Sequence, residues 1–297
     1  MEGVLNVFKE KDMTSHDVVA ILRGTTGQRR MGHTGTLDPQ VTGVLPICLG
    51  RATKLADYIS EQGKTYEGSL VFGIQTDTLD LDGEVINRCD KTHFSREAIL
   101  EAMATFVGII SQLPPMYSAV QVHGQRLYDL ARQGKKVERK PRQVTIHDFS
   151  VLAFREDGID FSCTCSKGTY IRTLVDDLGR ALGSYATTSR LVRTQVGPFT
   201  IDRSHPISKL RTMTKDEIQG LLLPMDQSIP HLPTIELGAR EGKVLRDGGF
   251  TAWPKEKAQE ADVIYRVYDP SGFIGLGYYD SKKNKLRMKK VLAEKQG

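Results

Sequence analysis

The 297-residue sequence has four cysteines, Cys48, Cys89, Cys163 and Cys165, and no C-x-x-C pair among them, which argues against a zinc knuckle or a dithiol redox motif. Cys163 and Cys165 alternate within FSCTCS and should share one face of a strand; the four read as small core residues in a reducing compartment. Long apolar runs are also missing. Nothing approaches the roughly 20 residues of a membrane span, and the opening MEGVLNVFKEKD carries no apolar signal segment. No membrane association and a cytoplasmic location are therefore the expectation. Several ligand motifs fail on inspection. Gly63-Lys64-Thr65 resembles the end of a phosphate-binding loop, but Tyr58 stands where its first glycine belongs. Asp77, Asp80, Asp82 and Gly83 suggest a calcium loop, yet Thr78 takes the first ligand position and Cys89 that of the closing glutamate. No H-x-x-x-H pair, G-x-S-x-G elbow or G-x-G-x-x-G fingerprint occurs. Chemistry with no metal and no cofactor is the default.

What the chain does have is an ordinary globular balance, 39% hydrophobic and 26% charged residues, with lysine plus arginine at 41 against 36 acidic residues. The excess is small but clustered. Arg132, Lys135, Lys136, Arg139 and Lys140 lie between Arg126 and Arg142, and Lys282, Lys283, Lys285, Arg287, Lys289 and Lys290 lie near the C-terminus. Two such patches suit a polyanion, although a charge run is as readily a solvated face.

Thr14 and Ser15 are N-cap residues for a helix with the stripe Val18, Val19, Ile21 and Leu22, and Ser95 precedes Ile99, Met103, Phe106 and Val107 in the same way. A third stripe, Ile171, Leu174, Val175, Leu178 and Leu182, runs toward Gly183. Strand patterns occupy Ser69 to Phe72, Val144 to Phe149 and Ile159 to Cys165. Helices and strands alternate without a β-α-β rhythm, which predicts an α+β fold with a mixed, mainly antiparallel sheet. The composition changes near Leu223, and Ile229 to Pro233 reads as a connecting stretch. Beyond it, Val263 to Tyr268, a turn at Asp269 to Gly272, Phe273 to Tyr279 and Leu286 to Leu292 predict a small β-rich module. The expected division is 1–230 and 231–297.

In Gly32-His-Thr-Gly-Thr-Leu-Asp38-Pro39 a carboxylate directly precedes proline in a loop with glycines at 32, 35 and 43. Proline confines Asp38 to extended backbone, and glycines allow close backbone approach to a ligand. Asp-Pro is also a common turn opener, so the loop alone leaves a structural and a functional reading open.

The wider set of segments resembles one family. GHTGTLDP from Gly32, TGVLPICLGRATK from Thr42, KTY from Lys64, QTDTLDLDG from Gln75, PPMYSAVQVHGQRLYDLARQG from Pro114, CSKGTYIRTLVDDLG from Cys165 and RLVRTQVGPF from Arg190 together are similar to the TruB family of bacterial tRNA pseudouridine-55 synthases. The VYDPSGFIGLGYYD hairpin resembles the PUA domain that follows the catalytic domain in that family. The resemblance implies a pseudouridine synthase catalytic domain at 1–230, a PUA-like RNA-binding domain at 231–297, and isomerisation of uridine 55 in the T loop of tRNA without a cofactor.

On this resemblance Asp38 is the catalytic aspartate, attacking the anomeric carbon or helping to remove a sugar proton to give a glycal; the sequence leaves both routes open. Arg172 pairs with it and fixes its direction with a planar fork. The target base must be flipped out of the RNA, with Tyr66 stacking on it and Leu191 packing on its other side. His33 holds the rearranged RNA loop, and Lys9 braces the pocket. Two departures stand out: Glu10 follows Lys9 where the family has proline, and Val192 takes an arginine position in Leu191-Val192-Arg193-Thr194, which leaves the role of Arg193 near RNA or the pocket wall less defined. The stretch 124–142 falls where the family carries an insertion that grips the T stem-loop, and the basic tail should reach the acceptor side. The expected partner is tRNA, bound by a monomer with no protein partner required. An RNA chaperone with a vestigial pocket and a guide-RNA-dependent synthase are the competing readings. The set Asp38, Tyr66 and Arg172 argues against the first, and the small C-terminal module with the insertion argues against the second.

Overall fold

The computed structural model describes residues 1–118, 121–122, 124–135, 137–254, 257 and 262–294, apart from the side chains of residues 121, 122, 126, 131 and 132. Lys136 and the side chains of Arg126 and Arg132 in the basic stretch lie outside the described residues, as do Ala119, Val120 and His123 of the segment beginning at Pro114.

Among the described residues the strands form two main sheets and two small hairpins. Eight of the ten strands of the larger sheet follow the order His205–Pro206, Gly3–Lys9, Thr42–Leu49, Ala186–Val196, Lys64–Phe72, Gly158–Cys165, Arg142–Phe154 and Gly108–Gln112. Gly3–Lys9 is parallel to His205–Pro206 and Ala186–Val196 is parallel to Thr42–Leu49, while the remaining pairings in this sheet are antiparallel. The fold is α+β with a mixed, mainly antiparallel sheet, as expected.

Thr42–Leu49 is buried from Gly43 onward, so its near-continuous apolar run reflects cover on both faces. Gly158–Cys165 shows the alternation of a half-covered strand, with Cys163 and Cys165 both in the core. Ala186–Val196, which the hydrophobic pattern did not reveal, lies between Thr42–Leu49 and Lys64–Phe72. Its Arg193 registers with Gly43 on one side and Tyr66 on the other. Gly43 has φ +110°, and a Cβ there would lie 2.2 Å from the Arg193 carbonyl oxygen, so only glycine lets these strands meet.

Helix Ser15–Thr26 starts with a capping box between Thr14 and Asp17 and ends at Gly27 in the left-handed region. Thr14 is thus the cap, and Ser15 is freed to turn inward. Helix Ile171–Ala181 buries Ile171, Leu174, Val175 and Leu178, each contributing about 1.5–3 kcal/mol by removal from water, and the same face carries Arg172.

The second sheet runs Thr234–Glu236, Ile264–Asp269, Gly272–Asp280, Lys285–Val291, Phe250–Ala252. Ile235, Leu245, Trp253, Tyr265, Val267, Ile274 and Leu286 form its core. Leu276 and Leu292 instead join Val4, Val44, Leu55, Ile59 and Phe199 in a cluster that ties the two sheets together. Lys54 Nζ donates to Val291 O at 3.2 Å, and Lys290 Nζ donates back to Lys54 O while sitting 5.0 Å from the Tyr58 ring. The composition change near Leu223 is not where the first sheet's contacts end. Leu223 and Val4 exchange two backbone hydrogen bonds of 2.9 Å, which holds this stretch against the first strand.

Candidate active site

The loop carrying Asp38 joins Met31–His33 to Thr42–Leu49 and is pinned by side chains from distant positions. Ser15 Oγ accepts from Leu37 N at 2.9 Å and lies 3.2 Å from Leu37 O. Lys9 Nζ, fully buried, donates to the carbonyls of Glu10, Met13 and Pro39 at 2.9, 2.8 and 3.0 Å. Asp12 N donates to the same Pro39 oxygen at 3.1 Å, and Val41 N closes a turn onto Asp38 O at 3.1 Å. Burial pulls the Lys9 ammonium down to about 8, against the nearby Asp38 charge that favours its cation. Lys9 therefore braces the loop, and it does so through carbonyls, one of them the backbone of Glu10.

Arg172 crosses from the buried face of its helix to reach Asp38. Nη2 donates to Asp38 Oδ2 at 2.7 Å and to Tyr117 O at 3.0 Å. Nη1 donates to Thr78 O and lies 3.4 Å from Asp80 Oδ2. The expected planar fork is thus divided between two carboxylates, and Asp38 receives one arm of it. The side chain of Arg172 is 7% exposed and that of Asp38 46% exposed, so a buried cation, fixed by four acceptors, aims an accessible carboxylate. Among the described residues Asp38 Oδ1 has no hydrogen-bond partner. Burial pushes the Asp80 carboxyl up, while the Thr78 hydroxyl at 2.6 Å and the Arg172 charge pull it down.

Asp38 and Arg172 share a cavity of about 220 Å³ with Tyr66, Leu191, Arg193 and Lys64, closed further by the 167–171 turn and Ser118. Tyr66 is 8% exposed, and burial raises its hydroxyl above the ordinary phenol range, opposed by the Arg193 guanidinium; at neutral pH it is a protonated phenol. Arg193 is fully buried. Its Nε donates to Val44 O at 2.8 Å and its Nη2 to Gly35 O at 3.2 Å, so this cation fastens the Asp38 loop to the sheet. Of the three glycines, Gly43, at the start of the strand that follows the loop, is the one that close approach requires; a Cβ on Gly35 would meet ordinary contacts, and one on Gly32 would meet open space.

His33 lies outside that cavity's lining. Its ring is 5.3 Å from that of His16, edge to face, and its buried Nδ1 has no partner among the described residues. Burial, then the charges of His16 and Arg193, lower its pKa, so His33 is neutral at neutral pH. Sequence reasoning assigned no role to Lys64 or Asp80, although both sit in segments that it singled out, KTY and QTDTLDLDG. Among the described residues no group of three or more His, Cys, Asp or Glu side chains is arranged to hold a metal ion. No helix among them is long and apolar enough to cross a membrane.

Residues 23–171 match the family model described as TruB family pseudouridylate synthase (N terminal domain), and 172–229 match tRNA pseudouridylate synthase B C-terminal domain. The chain is 42% identical over 298 residues to tRNA pseudouridine synthase B of Clostridium perfringens (strain SM101 / Type A), covering 99% of this chain and 100% of that protein. It is 46% identical over 243 residues to the protein of the same name from Symbiobacterium thermophilum, covering 81% and 80%. A solved Cbf5-Nop10-Gar1 complex contains a chain that superposes with a TM-score of 0.76 at 25% identity, over 97% of this chain and 84% of that one. A chain in an H/ACA RNP bound to a substrate RNA containing 2'-deoxyuridine shares the fold with a TM-score of 0.74 at 22% identity, over 98% and 85%.

Proposed function

The chain belongs to the TruB family of pseudouridylate synthases, and from that premise we propose that it isomerises uridine 55 in the T loop of tRNA. It is a pseudouridine synthase that makes pseudouridine in tRNA. The reaction breaks the bond from uracil N1 to the sugar and rejoins the sugar through C5, an isomerisation with no redox change that calls for no cofactor.

The observation that carries the reading is the carboxylate of Asp38, held at 2.7 Å by buried Arg172 in a cavity walled by Tyr66 and Leu191. A uridine stacked in a folded loop cannot reach this carboxylate, so the base is flipped out, with Tyr66 on one face and Leu191 on the other replacing lost stacking. Ionised Asp38 then attacks C1′ or assists removal of a sugar proton, and the free Oδ1 is available for either role. Arg172 orients the carboxylate, Lys9 and Arg193 fix the loop beneath it, and neutral His33 contacts the opened RNA loop. Residues 1–230 serve as the catalytic domain, with 124–142 gripping the T stem-loop, and 231–297 serve as a PUA-like RNA-binding domain. The protein acts in the cytoplasm as a monomer, without a protein partner.

A guide-dependent enzyme is the second reading, favoured by the likeness to the Cbf5 complex. The stand-alone reading has the stronger support, because the identity to proteins named tRNA pseudouridine synthase B is 42% against 25%. Position-resolved pseudouridine mapping of an unmodified tRNA transcript, with the purified protein and no added cofactor or guide, tests it. Modification confined to the T-loop uridine and lost in Asp38→Asn is the expected result. Binding without modification by the wild type would instead bring forward a chaperone role or another RNA target.

A further inference from the structure

Two lysines are buried at this site, and they are bonded differently. Lys9 uses all three N–H groups on backbone carbonyls. Lys64 Nζ donates to Ser60 O at 2.7 Å, which is its one acceptor among the described residues. Lys64 is 7% exposed and lines the cavity that holds Asp38, so a buried ammonium keeps two donor positions unspent at the wall of the site. Unpaired donors on a buried charge are costly. A site that retains them is prepared for an acceptor that arrives with the substrate.

The position of Lys64 narrows what that acceptor is. Lys64 and Tyr66 are two apart on the strand Lys64–Phe72 and so face the same side of the sheet. Lys64 Cε lies 3.8 Å from where a Cβ on Gly35 would sit, so the side chain runs between the Asp38 loop and the strand bearing Tyr66. The charged groups that bear on its ammonium are Arg193, Lys167 and the Cys165 thiol, and Asp38, Tyr66 and Arg172 line the same cavity. Arg193 is committed to Val44 O and Gly35 O, and Lys167 pairs with Glu61 at 2.9 Å. Lys167 is exposed and can satisfy its remaining donors with water, and Arg193 is fixed in the sheet by its two carbonyls, so Lys64 is the buried ammonium of the cavity wall with donors left to offer.

We infer that Lys64 is a further catalytic residue, donating to a carbonyl oxygen of the uracil while the detached ring carries negative charge. This assignment rests on the proposed function and deepens it. Breaking C1′–N1 leaves the bonding pair on the ring, shared by N1 and the two carbonyl oxygens. Forming C5–C1′ uses a ring electron pair, and the proton then lost from C5 is balanced by one gained at N1. The anion exists between these events, and a donor that binds it more strongly than neutral uracil speeds its formation by either route open to Asp38. Burial holds the Lys64 ammonium down at about 8, so the cation is present below that pH and fades above it.

The test is single-turnover conversion of an unmodified tRNA transcript at saturating enzyme by the wild type, Lys64→Met and Lys64→Arg, from about pH 6 to about pH 10. Transcript affinity and thermal unfolding are measured in parallel. Lys64→Met should be slower on the order of 100-fold at unchanged affinity. The wild type should lose rate as pH rises through about 8, and Lys64→Arg, which stays charged, should not lose that component. Lys9 titrates in the same range but is unaltered in both proteins, so the difference between their profiles belongs to Lys64. A full saturating rate in Lys64→Met overturns the assignment. So does a loss confined to affinity, which would mark a phosphate contact, or an identical alkaline fall in Lys64→Arg. If Lys64→Met does not fold, the Lys64→Arg profile decides. A wild type that leaves the T-loop uridine unmodified overturns the proposed function and this assignment with it, whereas an active wild type beside an unaffected Lys64→Met overturns the assignment alone.

Discussion

The Asp38 loop and the C-terminal sheet reach order by different means. From Thr34 to Val41 the backbone belongs to no strand, and Lys9, Ser15 and Arg193 hold it by reaching its carbonyls and amides from elsewhere in the chain. From Ile264 to Val291 neighbouring strands pair directly, and a core that includes Trp253, Tyr265 and Leu286 backs the ladder. Side-chain pins can be removed one at a time without dismantling a ladder. Changes in the loop should therefore strike the chemical step, and changes on the sheet's surface should strike RNA affinity.

Arg172→Met offers the harshest test of that division. It leaves Asp38 and Asp80 without their shared cation, and single-turnover rate should fall by about 10²–10³-fold while transcript affinity holds, checked by rapid quench and filter binding. A loss of affinity equal to the loss of rate would break the comparison, because the loop would then be an RNA-binding element as well. A smaller effect is expected from Ser15→Ala, which removes both contacts to Leu37. Unfolding free energy should drop by about 1–2 kcal/mol in urea titration, with a rate loss well short of that in Arg172→Met. The smallest effect belongs to the tail. Arg287 pairs with Asp280 at 3.2 Å and Lys290 turns onto Lys54 O, whereas Lys282 and Lys289 are exposed. Replacing either of these two with alanine should leave the rate unchanged and reduce the slope of log affinity against log salt by about 1, measured by filter binding over a salt series.

Elements with local signatures were legible in the chain. The cap at Thr14, the cap at Ser95 and the apolar stripe from Ile171 all mark helices whose cause lies within a few residues. The strands expected at Val263 to Tyr268 and Phe273 to Tyr279 lie within a residue or two of Ile264–Asp269 and Gly272–Asp280. Ala186–Val196 escaped notice because its sequence is largely polar, and its place in the middle of the sheet comes from two long-range pairings. Lys64–Phe72 is longer than the run from Ser69, since its start carries polar residues, with Lys64 and Tyr66 turned to the cavity. Asp80 was hidden by the distance in sequence to its partner. An acidic run read for local metal spacing says nothing about an arginine ninety-two residues onward that needs a second carboxylate.

The meeting of Gly43 with the backbone of Arg193 has a consequence for how genetic data on this protein would read. A saturation screen scored by modification would return Gly43 as intolerant as Asp38, although Gly43 has no side chain to offer a substrate. Its intolerance would be geometric: any larger residue parts the strands that carry Arg193 and the end of the Asp38 loop. Catalytic and architectural positions would separate only when each inactive variant was also scored for folding, Asp38 variants folding normally and Gly43 variants not.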